Sequence, residues 1–135
     1  MINVKCQMNG GFIVDEKKVY DLAERTARFG EAVIRLAKKV PKDAANLPLI
    51  RQIVRAGTSV GANLCEANEA VSRKEFRNKI GICRKEASET KYWLRMIAVA
   101  EPPLKDEARR LWKESHELTL IFAKSFRTAG RPKEE

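Results

Sequence analysis

The sequence has little of what catalysis on a helical scaffold needs. It carries one histidine, His116, and three cysteines, Cys6, Cys65 and Cys83, in 135 residues. A di-iron carboxylate bundle requires Glu-x-x-His on two helices, and the glutamate nearest before His116 is Glu114, two positions away. There is no Gly-rich phosphate loop, no HExxH and no GxSxG, so the phosphate-cradling, zinc-hydrolase and nucleophile-elbow classes lack their residues. A carboxylate-only site from Glu66, Glu86 and Glu89 competes with a simpler reading, that three glutamates among many arginines are salt-bridged. No catalytic residue, metal site or cofactor is expected.

Other absences bound the class further. An odd number of cysteines without CxxC spacing fits neither a disulfide framework nor a zinc site; Cys65 and Cys83 fall on helix faces, where a thiol behaves as a small hydrophobe. No run of 18 apolar residues exists, so no segment is expected to span a membrane. Met1 to Val14 has one lysine, no long apolar core and a Gly10-Gly11 pair, unlike a signal peptide. A cytoplasmic location is expected. The 7 glycines and 5 prolines cluster at a few places, the pattern of long helices joined by short connections.

What is plentiful is charge, at 33% of residues against 44% hydrophobic. This is the composition of a globular domain, and the length suits one. The net charge is +9, which favours polyanionic partners. Residues 51–95 hold 10 Lys/Arg against 5 Asp/Glu, or +5 of that excess.

Apolar residues recur at alternating steps of four and three in four segments, the spacing of packed helices. The first runs from about Glu16 to Lys39, with Leu22, Thr26, Phe29, Val33, Leu36 and Val40 along its seam and Pro41 ending it. The second starts near Asn46, read as its N-cap, with a seam of Ile50, Ile53, Gly57, Val60, Leu64 and Ala67. Ser72-Arg73-Lys74-Glu75 is a capping box opening the third, whose seam is Phe76, Ile80, Cys83, Ala87, Thr90, Leu94 and Ile97. Pro102-Pro103 separates it from the fourth, which carries Leu104, Ala108, Leu111, Ser115, Leu118 and Phe122 and stops at Gly130-Arg131-Pro132. No segment alternates as a strand does; Gly11 to Val14 is too short to assign. The expected fold is all-α, an antiparallel up-down-up-down four-helix bundle over residues 16–130, with an N-terminal extension at 1–15 and a flexible tail at 131–135.

Two features bear on function. From Ala56 to Cys65 the second helix has no charge, and most of its residues are small. A helix without a charged face over three turns reads either as covered on two sides, by a subunit interface, or as a tightly packed bundle interior in which Gly57 and Gly61 are tolerated. Ser59, Asn63, Glu66, Glu86 and Trp93 are the candidate buried polar or interface residues; Glu66 is either buried against an arginine of the third helix or exposed near the helix end. Along the third helix, Lys74, Arg77, Gly81, Arg84, Ser88, Lys91 and Arg95 step by three and four, so five cations line one face over about 30 Å, while Glu75, Glu86 and Glu89 occupy the other flank. With Arg51 and Arg55, these cations form the candidate phosphate-binding set. Pairing with acids of a neighbouring subunit, or an idle solvated face, are the competing readings. Tyr92 and Trp93 lie near enough to stack on bases, although Trp93 fits a core or interface position better.

Asp21-Leu22, Phe29, Arg55-Ala56-Gly57-Thr58-Ser59-Val60-Gly61-Ala62-Asn63, Glu66-Ala67, Ser72-Arg73-Lys74-Glu75-Phe76 and Lys85-Glu86-Ala87-Ser88-Glu89-Thr90-Lys91-Tyr92-Trp93-Leu94 together resemble one bacterial family. It is the four-helix-bundle family named after the 23S rRNA intervening-sequence protein, to which accessory proteins of diversity-generating retroelements are related. Many members read Ile-Ala-Glu-Gly where this chain has Leu64-Cys65-Glu66-Ala67, a subfamily difference. The resemblance implies a homo-oligomer, a pentameric ring, of a basic non-catalytic protein associated with nucleic acid. In the retroelement branch it also implies a reverse transcriptase as partner. The expected function is nucleic-acid binding, RNA favoured over DNA; the alternative is an oligomeric adaptor for a protein partner.

Overall fold

The structure, a computed structural model, describes residues 16–132. The N-terminal extension, including Gly11 to Val14, and the last three residues of the tail lie outside the described residues. Four helices follow one another: α1 (Glu16–Lys39), α2 (Asn46–Asn68), α3 (Arg73–Ala100) and α4 (Lys105–Ala129), with a short 3-10 turn at Pro102–Leu104 before α4. Each packs on its successor and α4 closes on α1, which makes an antiparallel four-helix bundle. The α1–α4 seam is much the slimmest of the four. Among the described residues there is no strand.

The seam positions form the core. Val33, Leu36, Ile53, Val60, Ile80, Leu94, Ile97, Leu118 and Phe122 are completely or almost completely buried, each side chain contributing about 1.5–3 kcal/mol relative to exposure. Three polar residues share the seam without cost because a helix carbonyl accepts each hydroxyl proton. Thr26 donates to Leu22, Thr90 to Glu86, and Ser115 reaches across to the carbonyl of Ala87 at 2.6 Å.

Helix starts differ in detail from the sequence expectation. Ser72 caps α3, its hydroxyl accepting from the Glu75 amide at 3.1 Å. The Glu75 carboxylate, however, accepts from the amide of Val71 rather than from that of Ser72. Asn46 is not the cap of α2: it is the first helical residue and buried. Asp43 takes the capping task, accepting from the Asn46 amide at 2.8 Å. The Asn46 side chain instead donates to the Pro41 carbonyl and to the carboxylates of Asp43 and Glu101, tying the α1–α2 loop to the end of α3.

The small residues of α2 are partly used inside the molecule. Gly57 and Gly61 face α1, where Val33 and Thr26 lie against them. Close approach of these two helices is what the glycines permit, at a helix-propensity cost of about 1 kcal/mol each.

Candidate nucleic-acid interface

On α3 the buried seam is flanked by two rows of opposite character, because positions one before and one after a four-three seam face different neighbours. The row before the seam turns to α2. There Glu86 accepts from Arg55 at 3.2 Å, Glu89 pairs with the same guanidinium, and Lys79 meets Glu66 at 2.7 Å. The row after the seam turns to α4. Arg77 lies 3.8 Å over the Phe126 ring and its Nε donates to the Phe126 carbonyl. Gly81 lies against the Phe126 ring, and Lys91 Nζ is 3.2 Å from His116 Nδ1.

Charge on α4 is divided in the same way. Three of its four acids turn to α1, where Glu114 and Glu117 grip Arg25 at 2.6 Å and Glu107 holds Lys39 at 3.0 Å. The hydrogen bond from Arg25 to Glu114 outweighs the cost of partial burial and raises the guanidinium pKa above its usual value. Glu66 likewise raises that of Lys79. The opposite flank of α4 carries Lys105, Arg109, Trp112, Lys113 and His116.

Five acids of α3 and α4, Glu86, Glu89, Glu107, Glu114 and Glu117, are thus engaged by cations of α1 and α2 and turned away from the α3–α4 groove. Among the described residues no carboxylate lies within ion-pair distance of Lys74, Arg84, Arg95, Lys105, Arg109 or Lys113. Between the C-terminal half of α3 and the N-terminal half of α4 this face opens into a groove of about 380 Å³. Arg95, Lys105, Arg109 and Lys113 rim it, and Leu94, Ala98, Ala108 and Trp112 supply its apolar surface. Trp112 stacks on His116 (centroids 5.3 Å apart, planes within 12°), and Lys91 Nζ lies 5.4 Å from its ring centroid. A larger cleft of about 530 Å³ between α1 and α4 is lined by Asp21, Glu24 and Glu114 against Arg25 and Arg28. Arg25 is held by Glu114 and Arg28 by Glu24, and Asp21 adds a further negative charge, so the cleft disfavours a polyanion.

Against this geometry the sequence-derived candidates separate. Lys74, Arg84 and Arg95 are exposed and without a carboxylate partner, and of the three Arg95 lines the groove. Arg77 and Lys91 belong to the same row but are half-buried and engaged by α4. Arg51 is exposed on α2, whereas Arg55 is committed to Glu86 and Glu89. Glu66 is exposed, and its partner is Lys79 rather than an arginine of α3. Trp93 packs against the core and meets Tyr92 edge-on at 4.9 Å. Ser59 and Asn63 stay half-buried, satisfied within α2: Ser59 donates to the Arg55 carbonyl and Asn63 to that of Ser59.

The sequence profile of the 23S rRNA-intervening sequence protein family matches residues 18–124, four-fifths of the chain. The chain belongs to this family. A solved structure is also similar: a protein of unknown function from the S23 ribosomal protein family of Bacteroides thetaiotaomicron. It is 30% identical, with a TM-score of 0.74 over 82% of this chain and 98% of that one. No curated protein matches the chain. The family match runs from α1 almost to the end of α4, so every residue of the α3–α4 groove lies within it. Lys105, Arg109, Trp112, Lys113 and His116 were not among the sequence-derived candidates. Their signal was the four-three spacing of the basic flank of α4, masked by reading that helix for its apolar seam alone.

Among the described residues no cluster of three His, Cys, Asp or Glu could hold a metal ion. No helix among them is long and apolar enough to cross a membrane.

Proposed function

We propose that this member of the family is a non-catalytic protein that binds nucleic acid, RNA in preference to DNA, across its α3–α4 face. The observation that carries the reading is the partition of charge: the four cations that rim the α3–α4 groove lack a carboxylate partner, while Glu86, Glu89, Glu107, Glu114 and Glu117 of the same helices are tied to α1 and α2. Unpaired cations release counterions from a phosphate backbone without first breaking an internal ion pair. RNA is taken as the ligand because the family is named after an intervening sequence of 23S rRNA.

The test is binding of a structured RNA and a duplex DNA of equal length, titrated against salt, with two double variants of equal charge change. Arg95→Glu with Arg109→Glu is expected to lower affinity at least tenfold and to reduce the salt slope by one to two phosphate contacts, about 0.9 each on a duplex. Arg35→Glu with Lys38→Glu, on exposed α1 positions, is expected to change it far less. Equal losses in the two variants would mean generic charge, and the adaptor reading would replace this one.

A second reading concerns self-association. The outer side of α2, with Thr58 and Ser59 half-buried and Ala62 exposed, carries no charge from Ala56 to Cys65, and its hydroxyls are already satisfied by their own helix. That surface suits a second copy of the chain, as the implied ring requires. Ala62→Arg is expected to leave the bundle folded and reduce the molar mass measured by light scattering; an unchanged mass would sink this placement.

A further inference from the structure

We propose that the α3–α4 groove is a seat for an unpaired nucleobase, so that the chain binds single-stranded RNA in preference to duplex; this rests on the nucleic-acid reading above. The groove pairs two features that a duplex cannot use together. Its rim is four cations, Arg95, Lys105, Arg109 and Lys113, with no acid among the lining residues. Its interior is apolar, and Trp112 is 39% exposed. A duplex presents phosphate ridges and hides its base faces in the stack, so it would engage the rim and leave the apolar surface idle. An unpaired base inserts its π face beside the indole while its flanking phosphates meet the rim. At about 380 Å³ the space is near the lower end of small-molecule sites, suited to one base rather than to a folded partner.

The indole is held ready. His116 lies parallel to Trp112, and Lys91 reaches His116 Nδ1 at 3.2 Å from the facing helix. Lys91, counted with the phosphate-binding stripe on spacing alone, acts here as a strut that fixes the ring pair. A preordered aromatic loses little conformational freedom when a base stacks on it.

The test compares an unstructured oligoadenylate with a duplex RNA of equal length, by fluorescence anisotropy across a salt series. Trp112→Ala should weaken oligoadenylate binding about 5- to 150-fold, the range for loss of one base–aromatic stack, with duplex affinity and both salt slopes unchanged. Trp112→Phe should retain most of the affinity, and it keeps the test informative if the alanine variant does not fold. In a Trp93→Phe background, oligoadenylate should quench the remaining tryptophan. Unchanged oligoadenylate affinity in Trp112→Ala, an equal loss for both RNAs, or displacement by polyglutamate at matched charge would each overturn the seat. If neither RNA binds the wild-type chain, the nucleic-acid reading itself falls; if both bind and only the Trp112 dependence is missing, the seat alone falls.

Discussion

Gly57 of α2 lies under Val33 of α1 so closely that there is no room for a methyl group between them. A Cβ added to Gly57 would sit 2.8 Å from Val33 Cγ1 and 2.9 Å from Cγ2. Gly30, across the same seam, is different: the nearest atoms to an added Cβ, in Gly57 and Thr58, are 3.7 Å away, an ordinary contact.

These two glycines should therefore respond in opposite directions to the same substitution. Gly57→Ala gains about 1 kcal/mol of helix propensity but forces an overpacked core costing about 1–3 kcal/mol, so the melting temperature should fall. Gly30→Ala gains the propensity without the clash, and its melting temperature should rise. Thermal denaturation of the two variants checks both signs, and Val33→Ala should partly relieve Gly57→Ala.

Arg77 should prove to be a structural residue. Its guanidinium covers Phe126 and bonds that residue's carbonyl, while Arg73 reaches the carbonyls of Ala129, Thr128 and Arg131. Together they satisfy the orphan acceptors at the end of α4. Arg77→Lys keeps the charge but loses the planar stack, and should cost about 0.5–2 kcal/mol in urea denaturation with little change in RNA affinity. Hydrogen exchange near residues 126–131 should speed up. A drop in affinity with stability intact would return Arg77 to the binding set.

Arg55→Gln should barely change RNA binding, whereas Arg95→Gln should weaken it and lower the salt slope. Arg55 already spends its charge on Glu86 and Glu89; Arg95 has no carboxylate partner among the described residues. Because the Arg55 pair is partly exposed, its loss should cost no more than about 1 kcal/mol of stability. Parallel titrations of the two variants decide between them.

Cys83 is fully buried, and desolvation pushes its thiol from the ordinary 9.0 up to about 12. The folded state therefore holds this proton more tightly than the unfolded chain does. The resulting stability is complete below pH 9 and drains away as pH rises toward 12. Cys83→Ala should flatten that alkaline decline. In the native protein at pH 8, iodoacetamide should label the half-buried Cys65 well before Cys83, as mass spectrometry of the digested protein would show.

The fold was legible because a four-three rhythm has one physical meaning: Phe76, Ile80, Cys83, Ala87, Thr90, Leu94 and Ile97 recur as a packed seam requires, and all seven are buried. The Ser72 cap of α3 was legible for a similar reason, its hydroxyl and the Glu75 amide being three residues apart, although the Glu75 carboxylate turns to Val71 instead of completing the box. The site was harder. Spacing places Arg77, Arg84, Lys91 and Arg95 in one row but does not say which neighbour the row faces, and α4 draws Arg77 and Lys91 inward while leaving Arg84 and Arg95 open. Asp43 and Asn46 are both capping residue types within one turn, and only the course of the loop decides between them. The groove requires two helices to be superposed in register, which neither sequence segment encodes alone.

The slim seam between α1 and α4 joins the two helices most distant along the chain. Contacts of such wide sequence separation form late, since the chain between them must already be ordered. The α2–α3 and α3–α4 hairpins can assemble from neighbours as they are synthesised, but ring closure waits for Glu107, Glu114 and Glu117 to reach Lys39 and Arg25. High salt, which screens exposed ion pairs, would then loosen this final closure before it disturbs the apolar hairpins.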